Sequence, residues 1–158
     1  QLKEIEQQGV GIAHITLDIG LGTFAPIRIE EIKNHVMHSE RVSVDKEAAD
    51  KINSVLNSDS RVIAVGTTVL RCLESVFAKF NKMKPYEGET DLFIYPGYKF
   101  GIVDSLLTNF HLPKSSLFLL VCAFGGTQDL KSAYKHAIEQ NYKFFSYGDA
   151  MLINKCDG

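Results

Sequence analysis

An amide and an imidazole stand two residues apart in Asn109-Phe110-His111-Leu112-Pro113. Pro113 restrains Leu112 to extended geometry, so Asn109 and His111 point the same way and would face one pocket. The imidazole exchanges a proton near neutral pH. The asparagine both donates to and accepts from a heterocycle edge or a sugar hydroxyl. The ordinary alternative is a buried histidine satisfied by a backbone carbonyl. The five residues sit within Thr90 to Ser116, TDLFIYPGYKFGIVDSLLTNFHLPKSS, where aromatic, turn-forming and hydrogen-bonding residues are denser than a core needs. In the same stretch Tyr95-Pro96-Gly97-Tyr98 offers rings for stacking on a base, although two tyrosines beside a turn are more often packing.

Two further groupings have the residue types for chemistry. His38-Ser39-Glu40 would put an imidazole and a carboxylate on one face of an extended segment, a proton acceptor with its orienting partner. An exposed edge strand with ordinary polar residues is the alternative. Val62-Ile63-Ala64-Val65-Gly66-Thr67-Thr68 feeds a strand into a helix through a glycine and two hydroxyls, so free N–H groups and the helix dipole converge where an anion is favoured. Thr67, Thr68 and Arg71 would add donors; helix capping is the plainer reading. The segment is neither the G-x-G-x-x-G fingerprint nor a Walker loop, which needs a lysine after the glycine.

These residues need a scaffold, and the chain has the composition for one domain. It holds 158 residues, 45% of them hydrophobic, enough for a real core. The longest apolar run, Leu117 to Phe124, is far short of the roughly 18 residues of a membrane span, and no amino-terminal signal pattern is present. A cytoplasmic location is expected. Cys72, Cys122 and Cys156 form no CxxC pair, and the five histidines lack metal-ligand spacing, so neither a disulfide framework nor a metal site is expected. Seventeen basic against nineteen acidic residues give a formal charge of −2, which speaks against a self-sufficient nucleic-acid binder. Lys79, Lys82 and Lys84, with Lys131 and Lys135, leave room for a local phosphate-steering patch, although a merely solvated face is the commoner reading of each run.

The periodicity predicts strands over Val10–Leu17, Met37–Val44, Arg61–Val65 (buried) and Asp91–Tyr95, with a loop over Asn81–Glu89 and an irregular piece from Phe24 to Ile29. A helix capped by Asp45 carries Ala49, Ile52, Val55 and Leu56 on its apolar stripe. Another, capped by Thr67 or Thr68, carries Val69, Leu73, Val76, Phe77 and Phe80. A buried helix runs from Ser116 to Phe124 behind a Ser115 cap, with a strand as the alternative, and an amphipathic helix follows from Thr127 with Leu130, Ala133, Tyr134, Ala137 and Ile138. A final extended piece ends near Ile153. Alternating strands and helices argue for an α/β layered body with a mostly parallel or mixed sheet flanked by helices.

Read together with GLGTF at Gly20–Phe24, MHSE at Met37–Glu40, VGTTVLRCLES at Val65–Ser75 and FFSYGDAMLI at Phe144–Ile153, these blocks resemble the S-adenosylmethionine:tRNA ribosyltransferase-isomerases of the queuosine pathway. The resemblance runs from about Gly9 to Ile153. Asp18, where relatives often carry a histidine, and Cys72, where a small hydroxyl residue is expected, depart from it. The resemblance implies transfer and isomerisation of the ribosyl moiety of S-adenosylmethionine onto 7-aminomethyl-7-deazaguanine in tRNA, giving epoxyqueuosine, adenine and methionine. It implies no metal or redox cofactor, S-adenosylmethionine being a substrate. The partner would be tRNA carrying that base, with no membrane, and the full-length protein would be a monomer.

Family members are considerably longer, an α/β body interrupted by a β-barrel domain, and the chain, which starts at Gln1, resembles only their carboxy-terminal part. It is therefore expected to be a fragment lacking the barrel and the amino-terminal part. Under the resemblance His111, or His38 with Glu40, would move protons. Asn109, Thr108 and Asp104 would recognise adenine and ribose, and Gly66, Thr67 and Thr68 would take the methionine carboxylate. Gly22, Thr23, Phe24, Arg71 and Tyr95 complete the expected substrate-binding set. A methyltransferase using the Gly66 turn and an inert nucleotide-binding fragment are the competing readings.

Overall fold

A computed structural model describes residues 1–18 and 37–156, except for the side chain of Tyr147. Gly22, Thr23, Phe24 and the irregular piece expected over 24–29 lie outside the described residues. In chain order the elements are α1 (Leu2–Gln7), β1 (Thr16–Asp18), β2 (Glu40–Val44), α2 (Lys46–Leu56), β3 (Ile63–Val65), α3 (Thr67–Phe80), β4 (Tyr86–Thr90), β5 (Ser105–Asn109), α4 (Ser116–Gly125), α5 (Thr127–Glu139) and β6 (Ala150–Asn154), with a 3-10 turn at Phe145–Tyr147.

Among the described residues the strands form two sheets of three. One, in the order β1-β2-β4, is antiparallel throughout; the other, in the order β3-β5-β6, pairs β3 with β5 in parallel and β5 with β6 antiparallel. The architecture is thus α/β with a mixed sheet and flanking helices, as the alternation predicts, although its strands divide between two small sheets. The first sheet owes its register to β2, where Glu40, Val42 and Val44 turn inward and Arg41 outward. Pro85 and Gly88 suggest a loop in the sequence, yet Tyr86 to Thr90 pairs with β2 residue by residue. Gly88 fits because a Cβ there would meet the Tyr86 hydroxyl, so its missing side chain makes room for that ring.

Three other expectations change. Val10–Leu17 shrinks to the strand Thr16–Asp18. Asp91–Tyr95 joins no ladder: the Leu92 carbonyl accepts from Arg71 Nε instead, at 3.0 Å. And β3 is not buried on both faces, because only Ala64 is fully enclosed while Ile63 and Val65 are 49% and 63% exposed. The short β-branched run signals a strand but not which of its faces is covered.

Helix ends follow local chemistry. Asp45 caps α2, its Oδ1 accepting from Ala48 N–H at 2.7 Å, and Ser115 caps α4 by accepting from Phe118 N–H at 3.1 Å. The cap of α3 is Gly66 rather than a threonine: at φ 97° it makes a turn that suits glycine, and no side chain caps the helix. The core gathers Leu70, Val76, Leu106, Val121 and Phe124 between the helices and the second sheet. Glu74, buried on α3, accepts the backbone N–H groups of Gly101, Ile102 and Val103 at 2.8, 3.2 and 3.1 Å, and so fixes the loop that leads into β5.

Candidate functional site

Parallel pairing of β3 with β5 brings two of the chemical segments together. Val65 lies opposite Leu107, and Gly66 N–H donates to the Leu107 carbonyl at 2.8 Å. The turn that starts α3 is therefore held beside Thr108 and Asn109, at the carboxyl ends of both strands, where open α/β sheets take their ligands. Since Gly66 N–H is spent on Leu107, the anion-binding donors left at this helix end are the N–H groups of Thr67, Thr68 and Val69. The Thr67 side chain is buried and Thr68 half-buried.

Beyond β5 the chain turns through Phe110 into His111. The His111 N–H donates to the Tyr134 hydroxyl at 2.8 Å, and its Nε2 lies 3.1 Å from Thr108 Oγ1. Phe110 is locked in the aromatic cluster of Tyr134, Tyr142 and Phe144, which fixes the residues on either side of it. Burial pushes the His111 imidazole down to about 4, so it is neutral throughout the physiological range. Asn109, which is exposed, and His111 line one cavity of about 300 Å³ together with Leu112, Leu117, Phe145 and Ser146. The convergence of amide and imidazole read from the sequence is what the backbone builds.

Other expected members stand elsewhere. Asp104 is at the opposite end of β5, about 16 Å along the strand from Asn109. There it accepts from Val62 N–H at 2.9 Å and faces Lys155 Nζ at 3.7 Å, a strand-fixing arrangement that separates it from the pocket in which it was expected. His38 and Glu40 occupy different surroundings. His38 is exposed, whereas Glu40 is 2% exposed and its Oε2 accepts from Arg71 Nη1 at 2.5 Å. The alternation read across residues 38–40 does not hold because the strand begins only at Glu40. Arg71 is thereby occupied between Glu40 and the Leu92 carbonyl, with Nη2 buried and unpartnered among the described residues. Tyr95 is half-buried against Phe93, and Tyr98 packs edge-on to Phe100. Burial, then the Glu74 charge and its hydrogen bond, push the Tyr98 hydroxyl up to about 12.

Sequence reasoning passed over Phe145 and Ser146. The available signal was the doublet Phe144-Phe145 before Ser146-Tyr147-Gly148, of which a core needs only one ring. Phe144 supplies it, packing on Phe110 and Tyr134.

A mixed α/β body whose polar side chains collect at the carboxyl ends of parallel strands, beside a helix start and an apolar-walled cavity, has the layout in which open α/β sheets take ligands. The family model described as queuosine biosynthesis protein matches residues 1–153, and the chain belongs to that family. It is 48% identical to the S-adenosylmethionine:tRNA ribosyltransferase-isomerase of Psychrobacter sp. (strain PRwf-1), over 98% of this chain and 40% of that one. It is 53% identical to the enzyme of the same name from Coxiella burnetii (strain RSA 331 / Henzerling II), over 95% of this chain and 43% of that one. The crystal structure of S-adenosylmethionine tRNA ribosyltransferase from Thermotoga maritima superimposes with a TM-score of 0.79 at 39% identity, covering 96% of this chain and 48% of that one. The chain thus spans less than half the length of each of these relatives.

Proposed function

We propose that the chain is the carboxy-terminal portion of the α/β body of a transferase-isomerase that moves the ribosyl part of S-adenosylmethionine onto 7-aminomethyl-7-deazaguanine in tRNA. The observation that carries this reading is identity of 48% and 53% across nearly the whole chain with two relatives that bear the ribosyltransferase-isomerase name. The site is consistent in its chemistry. A sulfonium centre acidifies neighbouring C–H bonds and leaves as a neutral thioether, so the reaction needs a proton acceptor and exclusion of water. It needs no redox or metal cofactor.

In this proposal His111 is the acceptor: burial keeps its lone pair free of a proton, and a cationic sulfonium nearby disfavours protonation further. Asn109 and Thr108 meet the adenine and ribose edges. The α3 start, through Thr67 and Thr68, takes the methionine carboxylate, with Gly66 shaping the turn. A cytoplasmic location accords with this substrate pair, and the full-length protein is proposed to be a monomer; among the described residues no helix is long and apolar enough to cross a membrane.

The test is adenine release, followed by mass spectrometry with S-adenosylmethionine and tRNA carrying the modified base. It is run on this chain and on the chain extended at its amino end with the missing length of a relative. The extended protein should release adenine in proportion to modified tRNA, and His111→Ala should reduce the rate at least tenfold. Release of S-adenosylhomocysteine, or no adenine from the extended protein, would overturn the reading.

A further inference from the structure

Two adjacent phenylalanines have opposite fates in the loop from Lys143 to Asp149. Phe144 is packed into the aromatic cluster, while Phe145 is 48% exposed at the wall of the Asn109–His111 cavity. Phe145 holds φ at 61°, a left-handed conformation that a bulky residue adopts only where its surroundings impose it. They do so here. Phe145 N–H donates to the Phe110 carbonyl at 3.2 Å, Asn109 Nδ2–H donates to the Phe145 carbonyl at 3.1 Å, and the loop is closed at its base by paired Lys143 and Asp149. An exposed ring on a strained, over-determined backbone at the rim of a cavity is costly, and nothing in the core uses it.

The rest of the wall says what the ring faces. Leu112 and Leu117 are apolar, His111 is neutral, and Asn109 and Ser146 are uncharged; no carboxylate, ammonium or guanidinium lines the cavity among the described residues. Ser115 has no proton left to donate, since its hydroxyl donates to the Leu112 carbonyl while accepting from Phe118 N–H. Asn109 keeps its side-chain carbonyl and one N–H. A volume of about 300 Å³ is at the small end of ligand sites, suited to one ring system rather than a whole cosubstrate. The charged amino-acid end of a sulfonium nucleoside has no partner here, whereas a neutral flat base with a polar edge does.

We propose that Phe145 is a stacking platform and that this cavity takes a purine-type base between its ring and the Asn109 amide. The assignment deepens the functional reading above and rests on it for the two sources of such a base: adenine of the sulfonium substrate and the deazaguanine of the tRNA.

The experiment is a heteronuclear NMR titration of this chain with adenine, and separately with 7-aminomethyl-7-deazaguanine, to millimolar concentration. One of the two should shift the Asn109 side-chain amide and the Phe145 backbone N–H, which identifies the source. Phe145→Leu should weaken that binding about 5- to 100-fold and Phe145→Trp should restore it. Phe145→Asn, whose short side chain tolerates the left-handed backbone, should lose the base while melting no lower than the wild type, separating platform from structural support. Shifts absent with both bases, or Phe145→Leu binding as tightly as the wild type, would overturn the platform and leave the functional reading to its adenine-release assay.

Discussion

Arg71 Nη1 donates to Glu40 Oε2 at 2.5 Å in an ion pair with both side chains at most 2% exposed. The pair ties the first residue of β2 to the second turn of α3, and so joins the antiparallel sheet to the helix that starts at the Gly66 turn. Charges removed from water to this extent are costly singly and tolerable together. Arg71→Met should therefore destabilise the chain by about 3–5 kcal/mol, because it takes the cation away from a buried carboxylate, and Arg71→Met combined with Glu40→Met should cost clearly less. Urea unfolding of both singles and the double closes the cycle. Equal costs for the Arg71 single and the double would mean that the pair does not join the sheet to the helix.

Glu40 shows where sequence reading reaches and where it stops. The strand is legible from its residue types, though its start was placed three residues early and its inward face was not read, and the Asp45 and Ser115 caps are legible because capping depends on neighbours within three residues. Which distant group meets Glu40 is not legible, since Arg71 is 31 residues away and the approach is set by packing of α3. Asp104 stands apart for a different reason: it lies near Asn109 in sequence, but an extended strand carries it to the far edge. Asn109 and His111 reach one cavity because they flank Phe110 at a two-residue spacing and the aromatic cluster locks that ring. Phe145 was hidden because its exposure depends on Phe144 taking the core position beside it. The β4 strand was masked by Pro85 and Gly88, whose turn preference yielded to pairing along the whole of β2.

His111 couples the candidate site to stability. Its folded value of about 4 lies below the ordinary 6.5, so as pH falls the unfolded chain takes up the proton first. The stabilisation is complete above about pH 6.5 and drains away between there and about pH 4, on the order of 3 kcal/mol in all. Denaturant midpoints measured from pH 7.5 to 4.5 should decline, and His111→Asn, which cannot titrate, should flatten the part of the decline above pH 5. An unchanged slope in that variant would show that the imidazole is solvated in the folded chain.

The thiols report on the packing of the helices. Burial pushes Cys72 up to about 12, and burial also raises Cys122, opposed by the Lys131 charge; Cys156 is exposed. Only thiolates attack disulfide reagents readily. The native chain should react with Ellman's reagent at Cys156 within seconds to minutes and at Cys72 and Cys122 only on the timescale of opening, while all three react in guanidinium. Rapid native labelling of Cys72 would place α3 away from the core.

The face of the second sheet that turns outward carries an apolar row. Val65, Leu107 and Leu152 stand in register across β3, β5 and β6, at 63%, 37% and 62% exposure, while Ala64, Leu106 and Ile153, one residue along each strand, are buried. A period of two makes the faces opposite in kind, so identical chemistry has different worth on each. Leu106→Ala removes atoms from a filled core and should cost about 2–5 kcal/mol. Val65→Thr and Leu152→Thr remove little that is shielded from water; threonine keeps the β-branching of Val65 and brings to position 152 the branching a strand favours, and each change should fall within about 0.5 kcal/mol. Thermal and urea unfolding of the three variants decide it. If Leu152→Thr proved as damaging as Leu106→Ala, the outward row would have to be covered in the folded chain in solution, and the two faces would have been assigned the wrong way round.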